Sequence, residues 1–240
     1  MKKKIVFLVS GNGGTLQVIH NACKYGLLSA YISCAIFDKS CKAIKRVQAE
    51  NIPYTILNRE NLSDKIFQDA LYKTLKQQKP DLICLTFDSL LSEKIVTTFK
   101  NKIINLHPAL LPAFPGLNSI EKSIKGGVCY TGATVHFVDN LMDNGPIICQ
   151  YVTPININES TENLARRMFP YEALMMLQAV DWYIASRITI RGRRAIVDKA
   201  FYSSYPFCPA LDKFNHKSLK GIRKPLFEKI QMEIENLIEC

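Results

Sequence analysis

Ile5-Val6-Phe7-Leu8-Val9-Ser10-Gly11-Asn12-Gly13-Gly14-Thr15 is the stretch whose reading decides the fold. Five consecutive apolar residues closed by a glycine cluster suit a strand buried on both faces. The glycines let the backbone turn tightly into a helix that begins near Leu16. A strand, a glycine turn and a helix start in that order open a parallel α/β sheet. Lys2-Lys3-Lys4 followed by the apolar run also has the outline of a signal peptide. No small-residue cleavage site follows it, so a buried first strand is the better reading.

The same alternation continues outward. Strands are expected at 5–10, 32–37, 54–57, 82–86 and 103–107, with helices at 16–25, 41–50, 63–78 and 92–99 between them. In the third helix Ile66, Ala70, Leu71 and Leu75 recur at helical spacing. The pattern then changes to strands at 131–137 and 146–152 and a long helix over 160–184, with Ser160 or Thr161 as N-cap. Pro170 falls inside that helix and is expected to kink it. A hairpin is expected around Arg191-Gly192, with strands at 188–190 and 194–197. The stretch from Tyr202 to Pro209 reads as irregular, and a last amphipathic helix is expected over 225–240. The fold class is therefore α/β: a Rossmann-like, mostly parallel sheet with helices on both faces and a C-terminal helical appendage. The expected domains are residues 1–200 and an extension, 201–240.

At 240 residues with 48% hydrophobic content the chain can bury a substantial core. No run approaches the roughly 20 apolar residues of a membrane span. Eight cysteines lie scattered without a Cys-x-x-Cys pair, which favours reduced thiols in a cytoplasmic protein over a zinc site or disulfide framework. The net charge of +10 suits anionic small molecules. It comes without the aromatic-interleaved stripe of a nucleic-acid binder, so neither nucleic acid nor membrane is an expected partner.

Chemistry concentrates in Asn105-Leu106-His107-Pro108-Ala109-Leu110-Leu111 and in Asp143, which precedes Asn144-Gly145-Pro146. Asn105 and His107 alternate by two and so share a side if the strand reaches His107. Pro108 ends the element there, and carboxyl ends of parallel strands line the usual ligand crevice. An amide, an imidazole and a carboxylate can together polarise a carbonyl and move a proton. Taken singly, His107 reads as well as a structural histidine, and Asp143 as a turn acid. His136, inside a hydrophobic strand, is read as structural. The turn at Gly13, Gly14 and Thr15 lacks both the dinucleotide and the Walker pattern but is placed to cradle a phosphate at a helix N-terminus.

These residues resemble the folate-dependent formyltransferase family over about Lys4 to Val197. The likeness rests on Ser10 to Gly13, Pro80-Asp81-Leu82, the run from Asn105 to Leu117, Thr134 to Asp139, and Asp143 to Pro146. The loop from Leu111 to Leu117, with Pro112, Phe114, Pro115 and Gly116, is similar to the branch that acts on glycinamide ribonucleotide. The resemblance implies formyl transfer from 10-formyltetrahydrofolate to a primary amine without a metal. Asn105, His107 and Asp143 would be catalytic. A protonated His107 would donate to the oxyanion, with Asp143 raising its pKa. Gly13, Gly14, Thr15 and Glu172 would hold the phosphorylated amine substrate. Ser89, Leu90, Leu91, Asn105, Val138, Asp139, Asn140 and Leu141 would hold the folate. Glycinamide ribonucleotide, and so purine biosynthesis, is the leading expectation. The alternatives are a nucleotide-linked amino sugar in polysaccharide synthesis and a weakly active folate-binding paralogue. Several ligand positions depart from the family pattern: Gly14-Thr15 in the phosphate turn, a shorter folate loop without its arginine, and Asn118 for a histidine. The terminal amphipathic helix makes a homodimer the expected form of any self-association.

Overall fold

A computed structural model describes residues 1–87 and 89–213. The chain divides into two compact units. One comprises Met1–Asn105 with Phe137–Asn140; the other comprises Leu106–His136 with the chain from Leu141 onward.

The first unit is built from β1 (Lys3–Val9), α1 (Gly14–Lys24), β2 (Ala30–Phe37), α2 (Ala43–Ala49), β3 (Tyr54–Ile56), α3 (Asp64–Gln78), β4 (Leu82–Thr86), α4 (Glu93–Thr98) and most of β5 (Ile103–His107). The strands run in the order β3-β2-β1-β4-β5, every pair parallel. Parallel pairing demands a crossover between strands, which the helices supply. It also explains why Ile5 to Val9 are all buried, since helices cover both faces. One face packs Val6, Leu8, Ile36, Ile83 and Ile103 against Phe67, Leu71 and Leu75 of α3. Ser63 caps α3 by accepting the Ile66 N–H, and Lys79 ends it in the left-handed region at φ 49°. All five expected strands and four expected helices are present, with ends moved by one to two residues.

The second unit contains α5 (Ser119–Lys125), most of β6 (Tyr130–Phe137), β7 (Ile147–Pro154), α6 (Thr161–Ile184), β8 (Ile188–Arg191), β9 (Arg194–Val197) and β10 (Phe207–Cys208). β6 and β7 are antiparallel, β8 and β9 form the expected hairpin, and β9 joins β7 in parallel at Ile147 and Arg194. Gly132 in β6 permits that pairing, because a Cβ there would be driven into the Tyr151 carbonyl oxygen.

One expectation is met and one changes here. α6 continues through Pro170 for 24 residues, the long helix expected over 160–184. Ser160 caps it through the Asn163 N–H. Its second half is then almost wholly buried, from Ala173 to Val180. That burial outweighs the roughly 3 kcal/mol an internal proline costs. The stretch expected to be irregular is pinned to the unit: Phe207 and Cys208 pair with Tyr151 and Gln150, and Phe207 packs on the stacked rings of Tyr151 and Tyr171. The expected terminal helix, 225–240, lies outside the described residues.

Candidate active site

His107 is the last residue of β5, and Pro108 turns the chain away from the sheet. The loop that follows is fastened to its own unit. Thr134 Oγ1 donates to the Ala109 carbonyl at 2.7 Å and accepts from the Leu111 N–H at 3.1 Å, while Gln150 donates to the Leu111 carbonyl at 3.0 Å. Ser119 Oγ donates to the Pro108 carbonyl and Lys122 Nζ to that of Pro115. So held, the loop returns over His107 through three left-handed residues, Phe114 at φ 54°, Gly116 at φ 75° and Asn118 at φ 58°.

His107 is buried, with both ring nitrogens engaged. Nε2 stands 2.9 Å from the Phe114 carbonyl oxygen, and Nδ1 stands 3.3 Å from Asp143 Oδ2. Asp143, itself left-handed at φ 49°, accepts the Gly116 N–H on Oδ2 at 2.7 Å. His136 Nε2 approaches its other oxygen at 3.6 Å. The arrangement is one carboxylate between two buried imidazoles, with one backbone donor and one backbone acceptor at its edges.

Burial pulls the His107 pKa below the ordinary imidazole value, more strongly than the Phe114 carbonyl and the Asp143 carboxylate push it up. Asp143 was expected to raise that pKa; its contribution has that sign, but desolvation is larger. Asp143 meets the reverse balance. Burial alone would raise its pKa, but the facing His136, the Gly116 N–H and the nearby His107 together hold it below the usual carboxylate range. The resting imidazole is thus held neutral beside an ionised carboxylate, which pairs the imidazolium when it forms.

A family profile described as formyl transferase matches residues 3–180. The chain belongs to the formyl transferase family. It is 34% identical to phosphoribosylglycinamide formyltransferase of Haemophilus influenzae over 199 residues, covering 82% of this chain and 94% of that one. It is 34% identical to the Bacillus subtilis protein of the same name over 175 residues, covering 72% and 89%. Among solved structures, glycinamide ribonucleotide transformylase 1 from Symbiobacterium toebii superposes with a TM-score of 0.78 at 32% identity, covering 82% and 94%. This formyltransferase has the mostly parallel sheet expected of it. No helix among its described residues is long and apolar enough to cross a membrane.

The remaining expected residues fall as follows. Gly13, at φ 71°, is the N-cap of α1, and Gly14 and Thr15 open the helix with no side-chain cap and no acidic residue in the first turn. Ala43 leaves no room for a Cβ on Gly13, at 2.5 Å, and Arg46 Nε donates to the Asn12 carbonyl at 2.8 Å. In the folate set, Leu91 and Val138 pack on the first unit's core, whereas Leu90 and Leu141 are exposed at 59% and 65%. Gln68 holds that loop by donating to the Leu90 carbonyl and accepting the Ser92 N–H. Ser89 Oγ and Glu172 Oε1 are shielded from solvent with no hydrogen-bond partner among the described residues. Burial raises the Glu172 pKa to about 7. The structure thus brings His107 and Asp143 together and adds His136, which had been read as structural. Its closeness in sequence to Asp139 and Asp143 was the one available signal.

Proposed function

We propose that this formyltransferase moves the formyl group of 10-formyltetrahydrofolate to the amine of glycinamide ribonucleotide, a step of purine biosynthesis. The observation that carries the reading is the buried His107–Asp143 contact at a strand end, in a chain that spans 94% of a phosphoribosylglycinamide formyltransferase. The folate supplies an activated formyl carbon. Attack by the amine on that carbon forms a C–N bond and a tetrahedral oxyanion. Asn105, two residues from His107 on the same strand, and the imidazolium form of His107 are the donors for that oxyanion. The attacking nitrogen then carries a surplus proton; with His107 already charged, the Asp143 carboxylate accepts it and passes it to the leaving folate nitrogen as the oxyanion re-forms the carbonyl and the C–N bond to folate breaks.

Ligand holding follows the same reading. Gly13, Gly14 and Thr15 present uncapped N–H groups to the acceptor's phosphate. Glu172 takes polar groups of the same nucleotide, for which a shielded carboxyl oxygen without a partner among the described residues is suited. Exposed Leu90 and Leu141 offer apolar surface to a pterin. Ser89, Leu91, Asn105, Val138, Asp139 and Asn140 complete that set. The reading implies a cytoplasmic enzyme that needs no metal.

The test is an acceptor panel. With 10-formyltetrahydrofolate as donor, glycinamide ribonucleotide is expected to turn over and nucleotide-linked 4-amino sugars are not. Turnover of an amino sugar with glycinamide ribonucleotide untouched would overturn the assignment.

A further inference from the structure

We propose that the Phe114–Gly116 backbone is a two-point clamp that fixes which nitrogen of His107 does the chemistry. The inference rests on the reading that His107 and Asp143 carry the reaction's proton. Pro115 and Gly116 belong to the loop whose sequence marks the glycinamide branch, yet no residue of that loop had a role beyond the likeness.

The clamp's first point is the Phe114 carbonyl. Oxygen there accepts only, so the 2.9 Å contact requires a proton on His107 Nε2. That nitrogen remains a donor whether the ring is neutral or charged. Nδ1 is then the nitrogen that gains and loses a proton; it faces Asp143 Oδ2, also an acceptor, across a longer 3.3 Å gap that closes into a hydrogen bond only when Nδ1 is protonated. The second point is the Gly116 N–H, which holds Asp143 Oδ2, the same oxygen that meets Nδ1. Phe114 and Gly116 are separated by one residue, so a single short segment sets both members of the pair. The Nδ1 contact, at 3.3 Å, is looser than either clamp contact. When Nδ1 is protonated its N–H can therefore be shared between Asp143 and a developing oxyanion, while Nε2 stays tied.

The loop's conformation is tuned to this job. Phe114 sits at φ 54°, where an aromatic L-residue is strained, and strain of this kind persists only where surrounding contacts enforce it. Thr134, Gln150, Ser119 and Lys122 supply those contacts. Gly116 at φ 75° turns its N–H toward Asp143. A Cβ on Gly116 would stand 2.9 Å from Met142 Sδ, but that side chain is half exposed and flexible. The requirement at position 116 is thus mainly the left-handed backbone, which asparagine tolerates better than alanine.

The ring nitrogens can be observed directly by 15N NMR of the full-length protein labelled at histidine, with the His107 signals identified by their loss in His107→Gln. At pH 8 and without substrate, the neutral ring is expected as the Nε2–H tautomer alone, and acidification should protonate Nδ1 only. Finding the Nδ1–H tautomer, or an even mixture, would overturn the clamp. Gly116→Ala is expected to mix the tautomers and to lower kcat about 10- to 100-fold with little change in the KM for the amine. Gly116→Asn should recover at least half of the logarithmic loss. If both variants keep the wild-type tautomer, or Asn is no better than Ala, Gly116 is not a positioning residue. The NMR measurement uses no substrate, so it can fail while the acceptor assignment stands, and the acceptor panel can fail while the clamp stands.

Discussion

Glu172→Gln separates what this protein needs for stability from what it needs for its substrate. Glu172 lies in α6, with Oε1 shielded from solvent and without a partner among the described residues. Burial lifts its pKa from 4.5 to about 7. Between those values the folded state binds more protons than the unfolded one, so the carboxyl's effect on stability worsens as pH rises through the window. The full penalty is present above pH 7 and absent below about pH 4.5. A rise of that size corresponds to roughly 3 kcal/mol. The residue as a whole is only half-buried, so solvent screening trims the figure to about 1–3 kcal/mol. Glutamine keeps the shape and never ionises. Its gain over wild type should be under about 1 kcal/mol at pH 5 and reach about 1–3 kcal/mol at pH 8, a rise in Tm of roughly 3–10 °C for a chain of this size. Thermal unfolding of both proteins at pH 5, 6, 7 and 8 measures this, and other titrating groups cancel in the difference. The same substitution should raise the KM for glycinamide ribonucleotide at least tenfold and leave that for the folate unchanged. A glutamine variant no more stable than wild type at pH 8 refutes the penalty; one with an unchanged acceptor KM refutes the ligand role.

Two other substitutions test the site and the fold. Asp143→Asn keeps an acceptor for the Gly116 N–H but removes the charge 3.3 Å from His107, worth about 5 kcal/mol at an effective dielectric near 20. Charge on the imidazole develops only in part, so turnover should fall about a thousandfold; steady-state rates within tenfold of wild type would dismiss the proton role. Gly132→Ala should cost at least about 3 kcal/mol, because its Cβ cannot coexist with the Tyr151 carbonyl in the β6–β7 pair. Urea midpoints measure it, and an unchanged midpoint would mean the strands part easily there.

The first unit was legible because parallel strands covered on both faces carry unbroken apolar runs, as Ile5 to Val9 and Leu82 to Leu85 do. Ser63 and Ser160 announced their helices by local hydrogen bonding, which needs no tertiary information. α5 was missed for the opposite reason. Among Ser119–Lys125 the buried residues are Ser119 and Ser123, so no apolar period marks it. β10 is two residues long and exists only because β7 offers it a partner. Pro170 does not end its helix, because burial along the second half offsets a cost that an isolated helix could not absorb. At the site, the Asn105–His107 spacing was readable from strand geometry. The place of His136 depended on the register of β6 against β7, which shifts between Val135 and His136.

The contacts that govern the proton come mostly from backbone, and this bears on how the chain tolerates its departures from the family. Phe114 offers a carbonyl and Gly116 an N–H to the His107–Asp143 pair, and the loop carrying them is tied down mainly through its own carbonyls, held by Thr134, Gln150, Ser119 and Lys122. Side chains along such a loop can drift as long as Gly116 keeps its φ and Thr134 its hydroxyl. The segments proposed to hold ligands differ: Leu90 and Leu141 expose their side chains and Glu172 Oε1 has no partner among the described residues, so under that proposal a substitution there would alter binding. On the proposed reading, departures in the folate loop change recognising side chains, whereas those at Gly14-Thr15 leave backbone N–H groups in place, and neither touches the His107–Asp143 pair.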